Sequence, residues 1–178
     1  MKKQGLTRSA ESIESIIDFV GKATSWLSLA IIILMTVNVT LRYTLSYGTV
    51  WAQELEWHLM AALILFGMSY AMLRGENVRV DLFYAHYSPP MRLAVDILSC
   101  LLTMAVAITF IWLSLSYVSQ AYGINEVSSD PGGLPMRWAV KALLPIGYGL
   151  LLLQSIGALF RLLANYPAAT EAKHPGSA

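Results

Sequence analysis

ILSCLLTMAVAITFIWLSLSYVSQAYGIN (97–125) runs from Asp96 to Glu126 without a charged residue. A helix rises ~1.5 Å per residue, so roughly 20 residues cross a hydrocarbon core of about 30 Å. This run is long enough to do so with turns to spare. It is continuously apolar rather than alternating, which excludes a barrel strand, and in lipid a helix satisfies its own backbone. The single cysteine, Cys100, lies inside the run. One cysteine makes neither an internal disulfide nor a zinc-ribbon spacing, and here it reads as a small packing residue.

Outward from this stretch, three more segments have the same character. Ala23 to Leu41 lies between Lys22 and Arg42, and Ala142 to Phe160 between Lys141 and Arg161. Leu55 to Leu73 is less clean, with Glu56 and His58 near its start. The expected fold is an all-α integral membrane protein, one four-helix domain over 1–178 with spans near 23–41, 53–73, 95–120 and 139–162 and a disordered tail at 167–178. Composition agrees: 56% of the 178 residues are hydrophobic and 13% are charged, whereas a soluble domain carries about 25% charged residues. Mean hydropathy is +0.56. A net charge of +1 offers no basic face for nucleic acid. The first span is too long for a signal-peptide core, and Asn38-Val39-Thr40-Leu41-Arg42 offers no small-residue cleavage site, so a retained span is expected.

Lysine and arginine give the orientation. The tails and middle loop hold Lys2, Lys3, Arg8, Lys22, Arg74, Arg79, Arg92, Arg161 and Lys173, against Arg42, Arg137 and Lys141 on the other side. Both termini are therefore expected in the cytoplasm. Tyr43, Tyr47, Trp51, Trp57, Tyr117, Tyr122 and Trp138 then mark the outer interface, and Trp26 and Tyr166 the inner one. Two segments read as short amphipathic helices on the cytoplasmic membrane surface. One places Ile13, Ile16, Ile17 and Val20 opposite Glu11, Glu14 and Asp18; the other carries Val80, Phe83, Tyr84 and Tyr87. The outer loop Gly123 to Arg137 is rich in turn formers and large enough to present a surface. No internal repeat of the kind found in self-sufficient transporters is visible.

Few residues could carry chemistry. Glu54 and His58 stand four apart on one helix face, with Glu56 pointing elsewhere. A metal site, proton relay or b-type haem needs more partners, and His86 and His174 fall at the other side. The pair therefore reads as a polar, partner-facing cluster, and neither a catalytic residue, a metal nor a cofactor is expected in this chain. Asp96 and Lys141 begin spans and are expected to reach the interface. Asn38 and Gln154 lie deeper and suit interhelical hydrogen bonds. Pro145, Gly147 and Gly149 predict a kink or a close helix approach.

The run from Arg42 to Leu93 resembles the small membrane subunit (the Q subunit, DctQ-like) of tripartite ATP-independent periplasmic, or TRAP, transporters. The matching features are Arg42-Tyr43, Trp51 with Glu54, Phe66-Gly67, Arg74-Gly75, then Val78, Val80, Asp81 and Leu82, and Pro89 with Arg92. The second half continues with Glu126, Ser128, Gly133-Leu134-Pro135 and Pro145-Ile146-Gly147. Gln53 stands where an acidic residue often precedes the glutamate, and Glu56 and His58 add polarity that the family pattern does not require.

The resemblance implies a non-enzymatic accessory subunit in the bacterial inner membrane. It would pack one-to-one beside the static scaffold of a large subunit that holds the substrate and sodium sites and moves substrate by an elevator-like motion. A soluble periplasmic binding protein delivers the substrate, usually an organic acid, and membrane phospholipids cover the rest. Gly132 to Trp138 with Lys141 is similar to the subgroup linked to 2-oxo acids and chloroaromatic or related carboxylates. Candidate partner contacts are Arg42, Trp51, Glu54, His58, Asp81, Glu126, Ser128, Asp130 and Arg137. Two other classes compete. A membrane anchor of a redox complex would use paired intramembrane histidines, and a small homo-oligomeric exporter would use an intramembrane carboxylate.

Overall fold

The computed structural model describes residues 2–76 and 84–171. Within them lie four helices: α1 (Lys2–Leu45), α2 (Val50–Arg74), α3 (Pro89–Gly123) and α4 (Arg137–Glu171). All four are long and apolar enough to cross a membrane. The expected spans fall inside them in order.

Side-chain pairings fix the topology. Gly21 faces Tyr70, and Asn38 faces Glu56, so α1 and α2 are antiparallel. Leu65 meets Gly147 and Met72 meets Ser155, so α2 and α4 run parallel. Phe110 stacks on Tyr148 at 4.7 Å while Tyr122 meets Trp138 edge-on, so α3 is antiparallel to α4. Helices α1, α2 and α4 pack mutually, and α3 lies against α4. One end of the bundle, the end expected to be the outer one, carries the turn 46–49 and the loop 124–136.

The packing stripe is small or polar and the outside is large and apolar, the reverse of a soluble bundle. On α3 the buried residues are Cys100, Ala107, Ser114 and Ala121. On α1 they include Ala10, Ile17, Thr24 and Asn38, with half-buried Ile31 completing the series. Both sets repeat every seven residues, the period that keeps one seam facing a neighbour in a left-handed supercoil. Meanwhile Trp26, Trp57 and Trp112 are each more than 70% exposed. An aqueous solvent would make that surface aggregate, whereas acyl chains or a partner helix cover it at no cost.

Close approach rests on three glycines. A Cβ at Gly21 would overlap the Tyr70 ring, one at Gly157 would come within 3.0 Å of Ile13, and one at Gly147 within 2.7 Å of Leu65. Helix α4 continues through Pro145, and of its two expected close contacts only Gly147 makes one; among the described residues nothing lies within 4 Å of a Cβ at Gly149.

Two expectations change here. The segment around Ile13 is not a separate surface helix but the first turns of α1, a continuous helix of 44 residues, about 66 Å long. Lys2 to Lys22 contains no proline, so nothing breaks the helix before the span begins. Its polar face is tied to the bundle instead: Glu14 pairs with Arg161 of α4, and Asp18 bridges Lys22 and Arg74 at 2.5 Å each. Residues 167–171, read as the start of a disordered tail, continue α4; 172–178 lie outside the described residues. So do Val80, Phe83 and Asp81 of the second amphipathic segment.

Candidate functional site

One carboxylate of α2 holds the loop between α3 and α4. Glu54 sits in the second turn of α2, where the helix begins after the extended Thr49. Its Oε1 accepts the hydroxyl proton of Ser128, and its Oε2 accepts the backbone N–H of Leu134 at 2.6 Å. These partners lie 74 and 80 residues away in sequence. A hydrogen bond to an ionised acceptor is stronger than one between neutral groups, so Glu54 works as a clamp on the loop between α3 and α4.

The loop is shaped to receive it. Arg137 N–H donates to the Glu126 carbonyl at 3.0 Å, Ser128 N–H to Leu134 at 3.3 Å, and Gly133 N–H to Asp130 at 3.0 Å. Asp130 N–H also donates to Ser128 Oγ at 3.2 Å. Position 133 must be glycine: a Cβ there would stand 2.5 Å from Ser128 Cβ and 2.8 Å from Glu54 Oε2. The neighbouring Gly132 has φ +80°, a left-handed conformation that side chains disfavour.

A second tie holds the loop to α4. Lys141 Nζ pairs with Glu126 and lies 3.9 Å from the centroid of the Tyr117 ring on α3. Its side chain is 13% exposed, so Lys141 is sequestered by an anion and a π-face rather than reaching toward water. Asp96, also expected at the interface, accepts the Tyr84 hydroxyl at 2.8 Å. Both charges are met inside the protein.

Of the candidate residues, the structure brings together Glu54, Ser128 and Glu126 on the clamped loop, with Arg137 at its end. Asp130 stands exposed at the tip. Arg42 lies exposed at the end of α1 beside the turn, with its Nε 3.3 Å from where a Cβ of Gly48 would be. Trp51 is 46% exposed in the first turn of α2. The Glu54–His58 pair does not form between side chains. His58 Nδ1 lies 2.6 Å from the backbone carbonyl of Glu54, which requires the proton on Nδ1.

Glu56, set aside in the sequence, accepts a hydrogen bond from Asn38 Nδ2 at 3.2 Å across the α1–α2 seam. Asn38 thus bonds between helices as expected. Gln154 does not: its buried Oε1 has no hydrogen-bond partner among the described residues. The Glu54–Leu134 bond was invisible to sequence patterning because it ends on a backbone amide. The glycine beside two turn-forming prolines was its one signal.

This architecture defines a class: a multi-pass helical membrane protein with small and polar residues in its helix seams and large apolar side chains on its exterior. Residues 31–165 match the family described as tripartite ATP-independent periplasmic transporters, DctQ component. The chain belongs to that family. It is also 25% identical over 124 residues to a Pseudomonas aeruginosa protein named C4-dicarboxylate TRAP transporter small permease protein DctQ. That match covers 68% of this chain and 59% of the Pseudomonas protein.

Proposed function

We propose that this chain is the small accessory subunit of a sodium-coupled TRAP transporter that imports an organic acid across the bacterial inner membrane. It packs one-to-one beside the static scaffold of the large subunit, which carries the substrate and sodium sites, and helps receive a soluble periplasmic binding protein at its outer end. The observation that supports this reading, beyond family membership, is the distribution of surface. Large apolar side chains cover the outward faces of α1 and α3, while Thr24, Asn38, Ser69, Ser114, Gln154 and Ser155 are buried in the helix seams. Such a chain is suited to being packed against. The dicarboxylate in the name of the Pseudomonas relative supports a carboxylate substrate.

The test is co-purification. Expressed alone, the chain is expected to aggregate or be degraded, because its outer helix faces need a partner. Expressed with its large subunit, it should purify from membranes as a stable one-to-one complex. A well-behaved monomer that transports unaided would overturn the accessory role. The orientation has its own check, resting on the asymmetry of lysine and arginine. In a Cys100→Ala background, cysteines at Gly5 and Gly75 should react with an impermeant thiol reagent only after the membrane is opened. Cysteines at Tyr47 and Asp130 should react from outside in intact cells. Outside labelling at Gly75 would reverse the topology.

A further inference from the structure

Three polar side chains are buried at one level of the bundle, in the core shared by α1, α2 and α4. Thr24, Ser69 and Gln154 are each no more than 5% exposed. Gly21 opposite Tyr70 aligns α1 with α2, and Met72 opposite Ser155 aligns α2 with α4. Counted from these contacts at ~1.5 Å per residue, the three residues fall within about one helical turn of each other. Their directions agree. Gln154 lies beside Ser155, which meets α2, and just before Gly157, which meets Ile13 of α1. Ser69 lies beside Tyr70, which meets α1, and just before Met72, which meets α4. Thr24 lies on the buried α1 stripe of Ala10, Ile17 and Asn38.

Among the described residues nothing donates to Gln154 Oε1. The Thr24 hydroxyl donates to the Val20 carbonyl at 2.7 Å, Ser69 to Phe66 at 2.9 Å and Ser155 to Leu151 at 2.8 Å. Each hydroxyl proton thus goes to its own helix, and the hydroxyl oxygens are left as further acceptors. A buried acceptor without a donor is costly, and more so in a span that bulk water does not reach. The group that satisfies it must bring protons and no charge. Asp18 and Glu14, the acids of α1 that face the bundle, are already paired with Lys22, Arg74 and Arg161 and do not balance a buried cation here.

We propose that an ordered water molecule is bound in this core, giving one proton to Gln154 Oε1 and the other to the hydroxyl oxygen of Thr24 or Ser69. Water brings two donors, and internal waters bind where two to four polar groups converge. Bound there, it joins α4 to a neighbouring helix and adds to the weak Ser155–Met72 contact at 3.6 Å. It is a structural ligand that holds the register of the helices at the end of the bundle away from the Glu54 clamp. The site depends on the packing of α1, α2 and α4, not on what the chain transports.

The test is a structure of the wild-type chain, purified with its large subunit in nanodiscs and determined at a resolution that shows ordered water elsewhere. A density peak is expected at hydrogen-bond distance from Gln154 Oε1 and from Thr24 or Ser69 Oγ, and it should persist when sodium is replaced by choline. No peak, a peak lost without sodium, or a turned carboxamide whose Nε2 donates directly to either hydroxyl would each overturn the proposal. Melting of the complex gives an independent check. Gln154→Leu should lower the melting temperature by several degrees because it breaks the bridge. An unchanged or raised melting temperature would mark the removal of an unsatisfied acceptor and rule the water out. In a Thr24→Val/Ser69→Ala background the bridge is already broken, so Gln154→Leu should lower the melting temperature little further. Fully additive losses would count against a shared water.

Discussion

Replacing Glu54 with alanine is expected to release the outer loop while the four helices stay packed. The carboxylate accepts two hydrogen bonds from residues on the loop, the Ser128 hydroxyl and the Leu134 amide, and supplies the only side-chain acceptor that either is seen to use. Removing it leaves a half-buried N–H without its charged partner and lets Ser128 and Asp130 reorganise. Hydrogen exchange at Leu134 should then accelerate by at least about tenfold, since a loop's protection reflects its local opening rather than global unfolding. Helices α1 and α4, whose seams lie below the loop, should keep their protection. Glu54→Gln retains one good acceptor and should give an intermediate effect. Gly133→Ala should reproduce the alanine result by a different route, because its Cβ would force Ser128 and Glu54 apart. Unchanged exchange at Leu134 in Glu54→Ala would mean that the backbone pairs of the loop suffice without the clamp.

The contrast between what could and could not be read in the sequence follows from range. Spans are legible because the hydrocarbon core demands an unbroken apolar run, a property local to each segment. The clamp is not, because a contact between Glu54 and Leu134 leaves no periodic trace. Spacing alone pointed to Glu54 and His58 as a pair, yet each had a better partner: the loop for the carboxylate, the preceding carbonyl for the ring. Glu56 looked incidental until the antiparallel seam set it opposite Asn38. The N-terminal segment shows a different failure. Its amphipathic pattern was real, but the pattern cannot say whether the polar face meets headgroups or ion-pair partners on another helix. Glu14 with Arg161 and Asp18 with Arg74 decide that point, and each pair joins residues from opposite halves of the chain or from different helices. Gly21 could have marked a break before the first span; it instead makes room for Tyr70.

The same logic separates the two glycines that follow Pro145, and a substitution at each should give opposite results. A Cβ at Gly147 would meet Leu65 Cβ at 2.7 Å, its carbonyl oxygen at 3.0 Å and its carbonyl carbon at 3.2 Å. Two of those three atoms are backbone, which cannot rotate aside as a side-chain tip can. Gly147→Leu must therefore push α2 and α4 apart along the parallel seam that also joins Met72 to Ser155. Overpacking of this kind costs about 1–3 kcal/mol, and the other contact of the seam, Ser155 on Met72 at 3.6 Å, is weak. A Cβ at Gly149 meets no atom of the described residues within 4 Å, so Gly149→Leu should change the α2–α4 packing little. The seam can be read directly in membranes, without depending on the purified chain. With cysteines at Met72 and Ser155 in a Cys100→Ala background, a short bifunctional thiol reagent should link α2 to α4 efficiently. The link should persist in Gly149→Leu and fall to a small fraction in Gly147→Leu, with the complex melting at a lower temperature. Equal cross-linking in both variants would show that α2 and α4 are held by contacts other than this close approach, and that the glycine at 147 is dispensable to the bundle.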